Sequence, residues 1–159
     1  MNGAQSQIPA FLINIHRVAS KADAEAYVSR LDAAGPLIES LVVQSAERAD
    51  SGIIVPDWVF PFVIADAKNV ISGVPFEDGA DSPIYADLKK KVADLDISEA
   101  EKSDLVARGE AAMINSLKPA YEKLIAEMER QQATADDGDG IWRFKDGAAY
   151  YAERLQNYT

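Results

Sequence analysis

The pattern of apolar positions is clearest over residues 98–132, where it predicts one long amphipathic helix. Apolar side chains recur there every three or four residues, the spacing that places them on one face of a helix. These positions are Leu105, Ala112, Met113, Leu117, Ala120, Tyr121, Leu124, Ile125 and Met128. Ser98 and Glu101 match a capping box, in which each side chain bonds a backbone N–H of the first turn. Pro119 lacks an N–H and crowds the preceding turn, so it should bend or divide the helix near Leu117.

The N-terminal part of the chain predicts an extended segment followed by a helical hairpin. Residues 7–18 are apolar without a helical period and contain Pro9, so we expect them to lie extended over the core. A helical pattern follows and should stop at Gly35 and Pro36, because proline opens a helix more readily than it continues one. The second helix of the hairpin should end in a left-handed cap at Gly52.

Residues 58–73 are unusually apolar, and a buried helix competes there with a buried strand. Their aromatic and β-branched side chains favour a strand, whereas their spacing favours a helix, which is the interpretation we prefer. We expect Trp58, Phe60 and Phe62 to belong to the core, with a ligand surface as the alternative. Glycine, proline and aspartate predict a loop over residues 73–83, and a short amphipathic helix follows it.

The C-terminal part of the chain predicts a final helix after an acidic, glycine-rich turn. Residues 141–144 offer a short edge strand as an alternative to coil. Residues 148–159 have the pattern of a helix in which Tyr150, Tyr151 and Leu155 face inward. No terminator ends this helix, and the first residues of the chain are aperiodic and uncapped. We therefore expect the sequence to be an excerpt of a longer protein.

Composition limits the fold and the partners. The chain has 159 residues, 48% of them hydrophobic, which is enough for one domain with a real core. Its net charge of −10 would repel nucleic acid and anionic membrane surfaces. It has neither the apolar run of a membrane span nor the order of a signal peptide, so we expect a soluble segment without membrane insertion. The predicted fold is all-α, a single domain over 1–159, with helical hairpins packed along one long, proline-interrupted helix.

The residues that could carry chemistry are few. The chain has no cysteine and a single histidine, His16. A catalytic zinc site normally takes three protein ligands, mostly imidazoles, so His16 cannot build one, and we expect it to be packed or hydrogen-bonded. A serine triad would need the same histidine, and no G-x-S-x-G elbow is present. The residues alone therefore indicate no catalytic, cofactor-binding or metal site.

The acidic turn raises the possibility of a calcium loop. Asp136, Asp137 and Asp139 would supply the oxygen ligands that calcium needs at closely spaced positions. The twelfth position counted from Asp137 is Ala148, however, where such a loop requires a glutamate. A solvated acidic turn is the interpretation we prefer.

Five segments, in this order, resemble the bacterial family known as domain of unknown function 885. They are IPAFLINIHRV, DAEAYVSRLDAAGPLIESL, GIIVPDWV, LKPAYEKLIAEM and KDGAAYYAERLQNYT, and together they cover nearly the whole chain. Three of them hold motifs similar to those of the family. The motifs are a Gly-x-x-x-Pro turn from Gly52 to Pro56, a Pro-Ala-Tyr step from Pro119 to Tyr121, and a Gly-x-x-Tyr-Tyr element over 147–151.

The resemblance implies a mostly helical, gluzincin-like zinc metallopeptidase, often secreted or lipid-anchored. It would place the protein in the periplasm or cell envelope; without the resemblance, the cytoplasm is the default. The family's presumed His-Glu-x-x-His zinc helix lies downstream of the Gly-x-x-Tyr-Tyr element, beyond Thr159. Zinc is therefore expected in the parent protein and not in this chain. The expected partners are the remainder of the parent polypeptide and a peptide substrate, with Tyr150 and Tyr151 as candidate cleft-lining residues.

Two functions of different class follow from these expectations. In the first, the chain is the non-catalytic N-terminal helical part of a zinc-dependent peptidase and shapes its substrate channel. In the second, it is a free-standing helical binding or scaffold module that works through an apolar groove. An enzyme complete within these residues ranks third, because they supply no complete active site.

Overall fold

The computed structural model describes residues 3–138 and 140–158, with the Trp142 side chain left out, and its regular elements are helices. The α-helices are α1 (Ala4–Asn14), α2 (Lys21–Asp50), α3 (Phe60–Val70), α4 (Pro83–Ala93), α5 (Glu99–Ala112), α6 (Lys118–Gln132) and α7 (Gly147–Tyr158). Short 3-10 turns lie at Asp57–Val59 and Ile141–Arg143, and a π-helical turn at Met113–Leu117 joins α5 to α6. Over the described ranges the extended pairing is one isolated bridge, so the all-α prediction is confirmed.

The long interrupted helix is confirmed as α5, the π turn and α6, which together form the spine of the fold. The Ser98 hydroxyl accepts from the Glu101 N–H, and the Glu101 carboxylate accepts from the Ser98 N–H at 3.0 Å, which is the predicted capping box. The π turn comes directly before Pro119, and the Lys118 N–H donates to the carbonyl five residues earlier. The wider turn lets the helix continue past a residue that has no N–H to donate.

The core forms where the other helices lie along this spine. α2 packs against α5, the π turn and α6, while α3 packs on α6 and α4 packs on α5. α1 lies across α2, α3 and α4. The largest fully buried side chains are Tyr27, Tyr121, Phe60, Leu12, Leu31, Ile38, Ile84, Leu88, Leu105, Met113, Leu117 and Val92.

The predicted hairpin between residues 20 and 50 is wrong, because α2 runs without a break through Gly35 and Pro36. Proline has no N–H, so the carbonyl of Asp32 loses its helical donor. The Ser116 hydroxyl of the π turn donates to that carbonyl at 2.6 Å. Gly35 makes room for this approach, since a Cβ there would lie 2.6 Å from the Ser116 carbonyl oxygen. The end of α2 is as predicted, with Gly52 at φ +80°.

The extended segment predicted over residues 7–18 is also wrong, since most of it belongs to α1. Pro9 lies inside α1 and frees the carbonyl of Gln5 in the same way. The Tyr121 hydroxyl on α6 donates to this carbonyl at 2.5 Å. Each helix with an interior proline thus receives the missing hydrogen bond from a hydroxyl of the spine.

Residues 58–73 are helical, as preferred, but only one of their three clustered aromatic residues is in the core. Phe60 is 1% exposed and packs with Ile64 and Met128, whereas Trp58 is 52% and Phe62 is 62% exposed. Phe60 and Ile64 are four residues apart on α3 and therefore share its buried face. Phe62 lies midway between them and points nearly the opposite way. The core prediction is therefore wrong for Trp58 and Phe62. The loop over 73–83 and the helix after it are as predicted.

The C-terminal segment differs from its prediction in two respects. The edge strand over 141–144 is wrong, because Ile141–Arg143 forms a 3-10 turn in which the Phe144 N–H donates to the Ile141 carbonyl at 3.1 Å. The described part of the chain offers no strand beside it for pairing. α7 exists, but its principal contacts are with Ile141–Arg143 and not with the core.

The inward orientation predicted for the apolar face of α7 is therefore wrong. Tyr150 is 55%, Tyr151 57% and Leu155 49% exposed. The helical period identifies one apolar face on α7, but the other helices of the described chain do not cover it.

Candidate functional site

A shallow cleft of about 470 Å³ lies between the 3-10 turn and the start of α7. It is lined by Gly140, Ile141, Phe144, Lys145, Gly147, Ala148 and Tyr151. Its walls are mostly apolar side chains and glycine backbone, and the Lys145 ammonium supplies one positive charge. Such a surface can receive an apolar side chain next to a negative group, but it contains no acid or base suited to bond cleavage.

The cleft is tied to the helical body through Arg143. Its guanidinium donates to the Ile54 carbonyl at 3.1 Å and pairs with the Asp136 carboxylate. The Asp136 carbonyl in turn accepts from the Asp57 N–H at 3.1 Å. These contacts fasten the 3-10 turn before α7 to the segment that leads into α3.

The two candidate tyrosines are placed differently with respect to this cleft. Tyr151 lines it, whereas Tyr150, one residue earlier and about 100° around the helix, lies outside the lining. Both rings are exposed, so either could contact a molecule bound beside α7. Their assignment as cleft-lining residues of a peptidase stays a prediction.

The acidic turn before the cleft has a structural role at one position. Asp136 pairs with Arg143 and also accepts from the Gly138 N–H at 3.1 Å. Asp136 and Asp137 are exposed, as a solvated turn requires. Asp139, the third candidate calcium ligand, lies outside the described residues.

His16 is packed and hydrogen-bonded, as predicted, at the junction of α1 and α2. A carbonyl only accepts, so Nε2 donates to the Asp23 carbonyl at 3.1 Å and Nδ1 accepts from the Arg30 guanidinium at 2.6 Å. The ring is 6% exposed, and burial lowers the pKa of the imidazole below its ordinary value. Both ring nitrogens are thus engaged with protein groups.

The donor set does not fit a zinc centre. The single imidazole has no free nitrogen, and the chain has no thiolate. Across residues 3–138 and 140–158, no three acidic or histidine side chains converge on one point that could hold a metal ion. We derive no catalytic step through a metal in this chain.

Comparison with known proteins places the chain in a family. Residues 1–159 match the family described as "Bacterial protein of unknown function (DUF885)". The chain belongs to this family. A comparison with curated proteins gives no match. The predicted membership in this family is confirmed, whereas the gluzincin-like peptidase that the resemblance implies stays a prediction.

A solved structure shares the fold of this DUF885 chain. It is described as "The crystal structure of the putative lipoprotein from Colwellia psychrerythraea", and it superposes with a TM-score of 0.87 at 20% sequence identity. The match covers 98% of the present chain and 26% of the Colwellia chain. The DUF885 chain therefore spans about a quarter of the length of this relative. Among the described helices of the DUF885 chain, none is both long enough and apolar enough to cross a bilayer.

Sequence reasoning missed a half-buried polar cluster where α1, α2 and α4 meet. Lys91 donates to the Leu12 and Ile13 carbonyls at 2.8 and 3.0 Å, and these belong to the last turn of α1. Asp87 pairs with Lys91 at 2.8 Å and accepts from the Tyr27 hydroxyl at 2.9 Å. Burial, reinforced by the Asp87 carboxylate, raises the pKa of Tyr27. The spacing of Asp87 and Lys91 on one helix was visible in the sequence, but their distant partners were not.

A second concave surface, here called the α1–α2 groove, lies between the first two helices. It has a volume of about 470 Å³. Its lining includes the apolar side chains Ile8, Phe11, Leu12, Ala33, Leu37 and Leu41. Arg30 is its charged member. Phe11 is 43% and Leu37 is 51% exposed, so the apolar walls are open to solvent.

Proposed function

We propose that this chain forms a non-catalytic helical wall of the substrate channel in a larger bacterial zinc-dependent peptidase. The observation that carries the proposal is the exposed aromatic side chains on α7 beside the cleft, where Tyr150 is 55% and Tyr151 57% exposed. Contiguous exposed apolar side chains on a helix are typical of a surface that binds another protein or a ligand. The resemblance to a gluzincin-like family supplies the reaction class, and the longer Colwellia relative supplies the precedent for additional chain.

The residues of this chain decide which parts of the proposed peptidase it can supply. This chain has no complete donor set for zinc, so the metal ligands and the catalytic base belong to the remainder of the parent polypeptide. What the chain contributes is shape, because the cleft is fastened to a packed helical body through Arg143. In this arrangement Phe144 and Tyr151 contact an apolar side chain of the peptide, and the Lys145 ammonium attracts a carboxylate nearby.

The proposed location is the cell envelope. The Colwellia relative is described as a lipoprotein, and the family resemblance implies secreted or lipid-anchored proteins. A net charge of −10 gives the chain itself no electrostatic attraction to an anionic lipid surface. Attachment would therefore come from a lipid anchor elsewhere on the polypeptide.

The test uses the full polypeptide that carries this sequence, loaded with zinc, and a fluorogenic peptide library. Replacing Tyr150 and Tyr151 by alanine should lower kcat/KM about tenfold with zinc content unchanged, because the lost contacts bind substrate and not metal. Tyr158→Ala is the matched control, since Tyr158 is on the same helix and 81% exposed but lies about two turns beyond Tyr151, away from the cleft.

Two results would contradict the proposal. One is equal kcat/KM for the double variant, the Tyr158→Ala control and the unmodified protein. The other is a full polypeptide that binds no zinc and cleaves no peptide in the library.

A free-standing binding module is the second candidate, and the open α1–α2 groove is the observation that favours it. The two candidates differ in how the 159-residue chain should behave alone. A monomeric, cooperatively folding chain favours the module, whereas aggregation through an exposed apolar face favours the peptidase part. Analytical ultracentrifugation together with urea unfolding distinguishes them.

A further inference from the structure

We propose that the α1–α2 groove binds a fatty acid, with the carboxylate on Arg30 and the alkyl chain between the two helices. The inference goes beyond the proposed function, because it concerns a surface separate from the cleft and does not depend on peptidase activity. It rests on three features of the groove, which are its apolar walls, its single cation and its length.

The walls suit an alkyl chain better than a peptide. Ile8 and Phe11 on one side and Leu37 and Leu41 on the other offer hydrocarbon, while the carbonyls that the two interior prolines free in these helices bond hydroxyls of the spine. An extended peptide laid there would turn some of its own N–H and C=O groups toward the hydrocarbon walls, which costs free energy. An alkyl chain has no such groups and gains from leaving water.

The cation at one end of the groove has donors to spare. One nitrogen of the Arg30 guanidinium donates to His16, and the group lies 5.8 Å from the Phe11 ring centroid. Among the described residues, none of the ion pairs within 4 Å involves Arg30, although the chain carries 26 acidic against 16 basic residues. A guanidinium without a carboxylate partner is suited to receive one from a ligand, in a two-pronged geometry.

His16 positions this guanidinium. Because Nε2 is committed as a donor to the Asp23 carbonyl, Nδ1 is the acceptor that holds one edge of Arg30 at the groove. The ring is itself fixed between Phe11 and Tyr27, with centroid distances of 6.5 and 5.1 Å. The exposed edge of the guanidinium is left pointing to solvent and ligand.

The length of the groove fits a medium or long alkyl chain. Arg30 and Leu41 are eleven residues apart on α2, which corresponds to about 16 Å along the helix axis. An extended dodecanoate is of similar length. Beyond Leu41 and Ala4 the surface continues into a second cavity of about 240 Å³, so longer chains also have room.

The test is isothermal titration calorimetry with dodecanoate below its micelle concentration, on the full polypeptide that carries this sequence. We expect saturable binding at one site per chain, about tenfold weaker for Arg30→Gln and for dodecanol, which keeps the chain but lacks the charge. Arg17→Gln is the matched control, because it removes the same charge from an exposed arginine outside the groove. Octanoate should bind at least about tenfold more weakly than dodecanoate, since less hydrocarbon is buried.

A second variant tests the apolar wall of the groove separately from the charge on Arg30. Leu37→Asp places a carboxylate on the wall at a residue that is 51% exposed, where the fold tolerates a polar side chain. It should abolish dodecanoate binding with unfolding by urea unchanged. A circular dichroism spectrum equal to that of the unmodified protein confirms the fold of each variant.

Four outcomes would overturn the proposal. They are no saturable binding, equal affinity for Arg30→Gln and Arg17→Gln, displacement of dodecanoate by an apolar peptide at lower concentration, and binding to the 159-residue chain but not to the full polypeptide. The last two would mean that a protein segment, and not a fatty acid, occupies the groove. Each is independent of whether the protein cleaves peptides.

Discussion

The helical body, α1 to α6, and the C-terminal segment 140–158 differ in how their structure relates to their local sequence pattern. In the body, two interior prolines should break helices, yet the helices continue because hydroxyls of the spine bond the freed carbonyls. In the C-terminal segment the helix forms as its pattern predicts, yet its apolar face stays exposed. A local pattern therefore predicts which carbonyls or which apolar face require a partner, and the tertiary structure decides whether another element supplies it.

The difference agrees with the division of roles proposed above. In the body, every side-chain polar atom that is fully buried within the described residues has a hydrogen-bond partner, and the core side chains pack on one spine. The C-terminal segment presents exposed aromatic side chains, Tyr150 and Tyr151 among them, next to a cleft whose lining includes Lys145. We expect the body to supply stability and the C-terminal segment to supply contact with substrate or with further chain.

Among the substitutions that test single close contacts of the body, the largest effect is expected from filling the space at Gly35, where α2 crosses the π turn. A Cβ there would meet the Ser116 hydroxyl and lie 2.6 Å from the Ser116 carbonyl oxygen, and backbone cannot move aside easily. Gly35→Ala should lower the free energy of unfolding by about 3 kcal/mol. Urea denaturation of the 159-residue chain measures it.

Gly109→Ala is the control for that substitution. It makes the same change within α5, but the new Cβ meets a methyl group of Leu88, the flexible end of a side chain. It should cost much less, because the methyl can shift and alanine favours a helix. Equal losses at both glycines would mean that the close approach of α2 to the spine is not what Gly35 provides.

The next effect concerns the carbonyl freed by Pro9 in α1. Tyr121→Phe keeps the buried ring and removes the hydroxyl that donates to the Gln5 carbonyl. It should destabilise the chain by about 2 kcal/mol, because the carbonyl is left without a partner in a buried site. Tyr85→Phe, whose hydroxyl bonds the partly exposed Glu110, should cost less. If thermal and urea unfolding give the two variants the same stability, the role assigned to Tyr121 is wrong.

A smaller effect is expected at the carbonyl freed by Pro36 in α2, because that site is closer to solvent. Ser116→Ala should cost about 1 kcal/mol by removing the donor to the Asp32 carbonyl. In a Pro36→Ala background the backbone N–H returns, so the same substitution should cost almost nothing. A double-mutant cycle with no coupling between the two positions would contradict this account.

The smallest effect is expected in the C-terminal segment. Replacing Tyr150 and Tyr151 by alanine in the isolated chain should change the free energy of unfolding by less than about 0.5 kcal/mol, because neither ring packs on the core. Tyr27→Ala, a fully buried counterpart in α2, should cost about 4 kcal/mol. A loss at Tyr150 and Tyr151 that approaches the loss at Tyr27 would show that α7 is part of the body.

Sequence reasoning succeeded where the signal is local. The capping box at Ser98, the interruption before Pro119 and the left-handed turn at Gly52 depend on residues a few positions apart, and the structure has all three. The helical period also identified the apolar stripe of the spine, and the helices packed along it bury most of its side chains, with Leu124 and Ile125 half-buried.

The errors arise where a distant residue decides the outcome. Gly35 and Pro36 predict a break after which Pro36 opens a second helix, but the helix is continuous there and Ser116, far along the chain, bonds the carbonyl that Pro36 frees. The inward orientation of Tyr150 was expected from its period, which identifies a face and not the surface that covers it. Tyr151 was available from the sequence as a candidate for the cleft, but the α1–α2 groove could not be predicted, because side chains of two separate helices form it and their spacing gives no local signal.

Hydrogen exchange of the 159-residue chain, measured residue by residue by NMR, tests the contrast between the two regions most directly. Amides of α2 and the spine should exchange only through global unfolding, while those of α7 should exchange at least about a hundredfold faster through local opening. In the full polypeptide, α7 should gain protection as further chain or substrate covers it. Protection of α7 equal to that of α2 in the isolated chain would contradict the account, because it would make the C-terminal helix an integral part of the body.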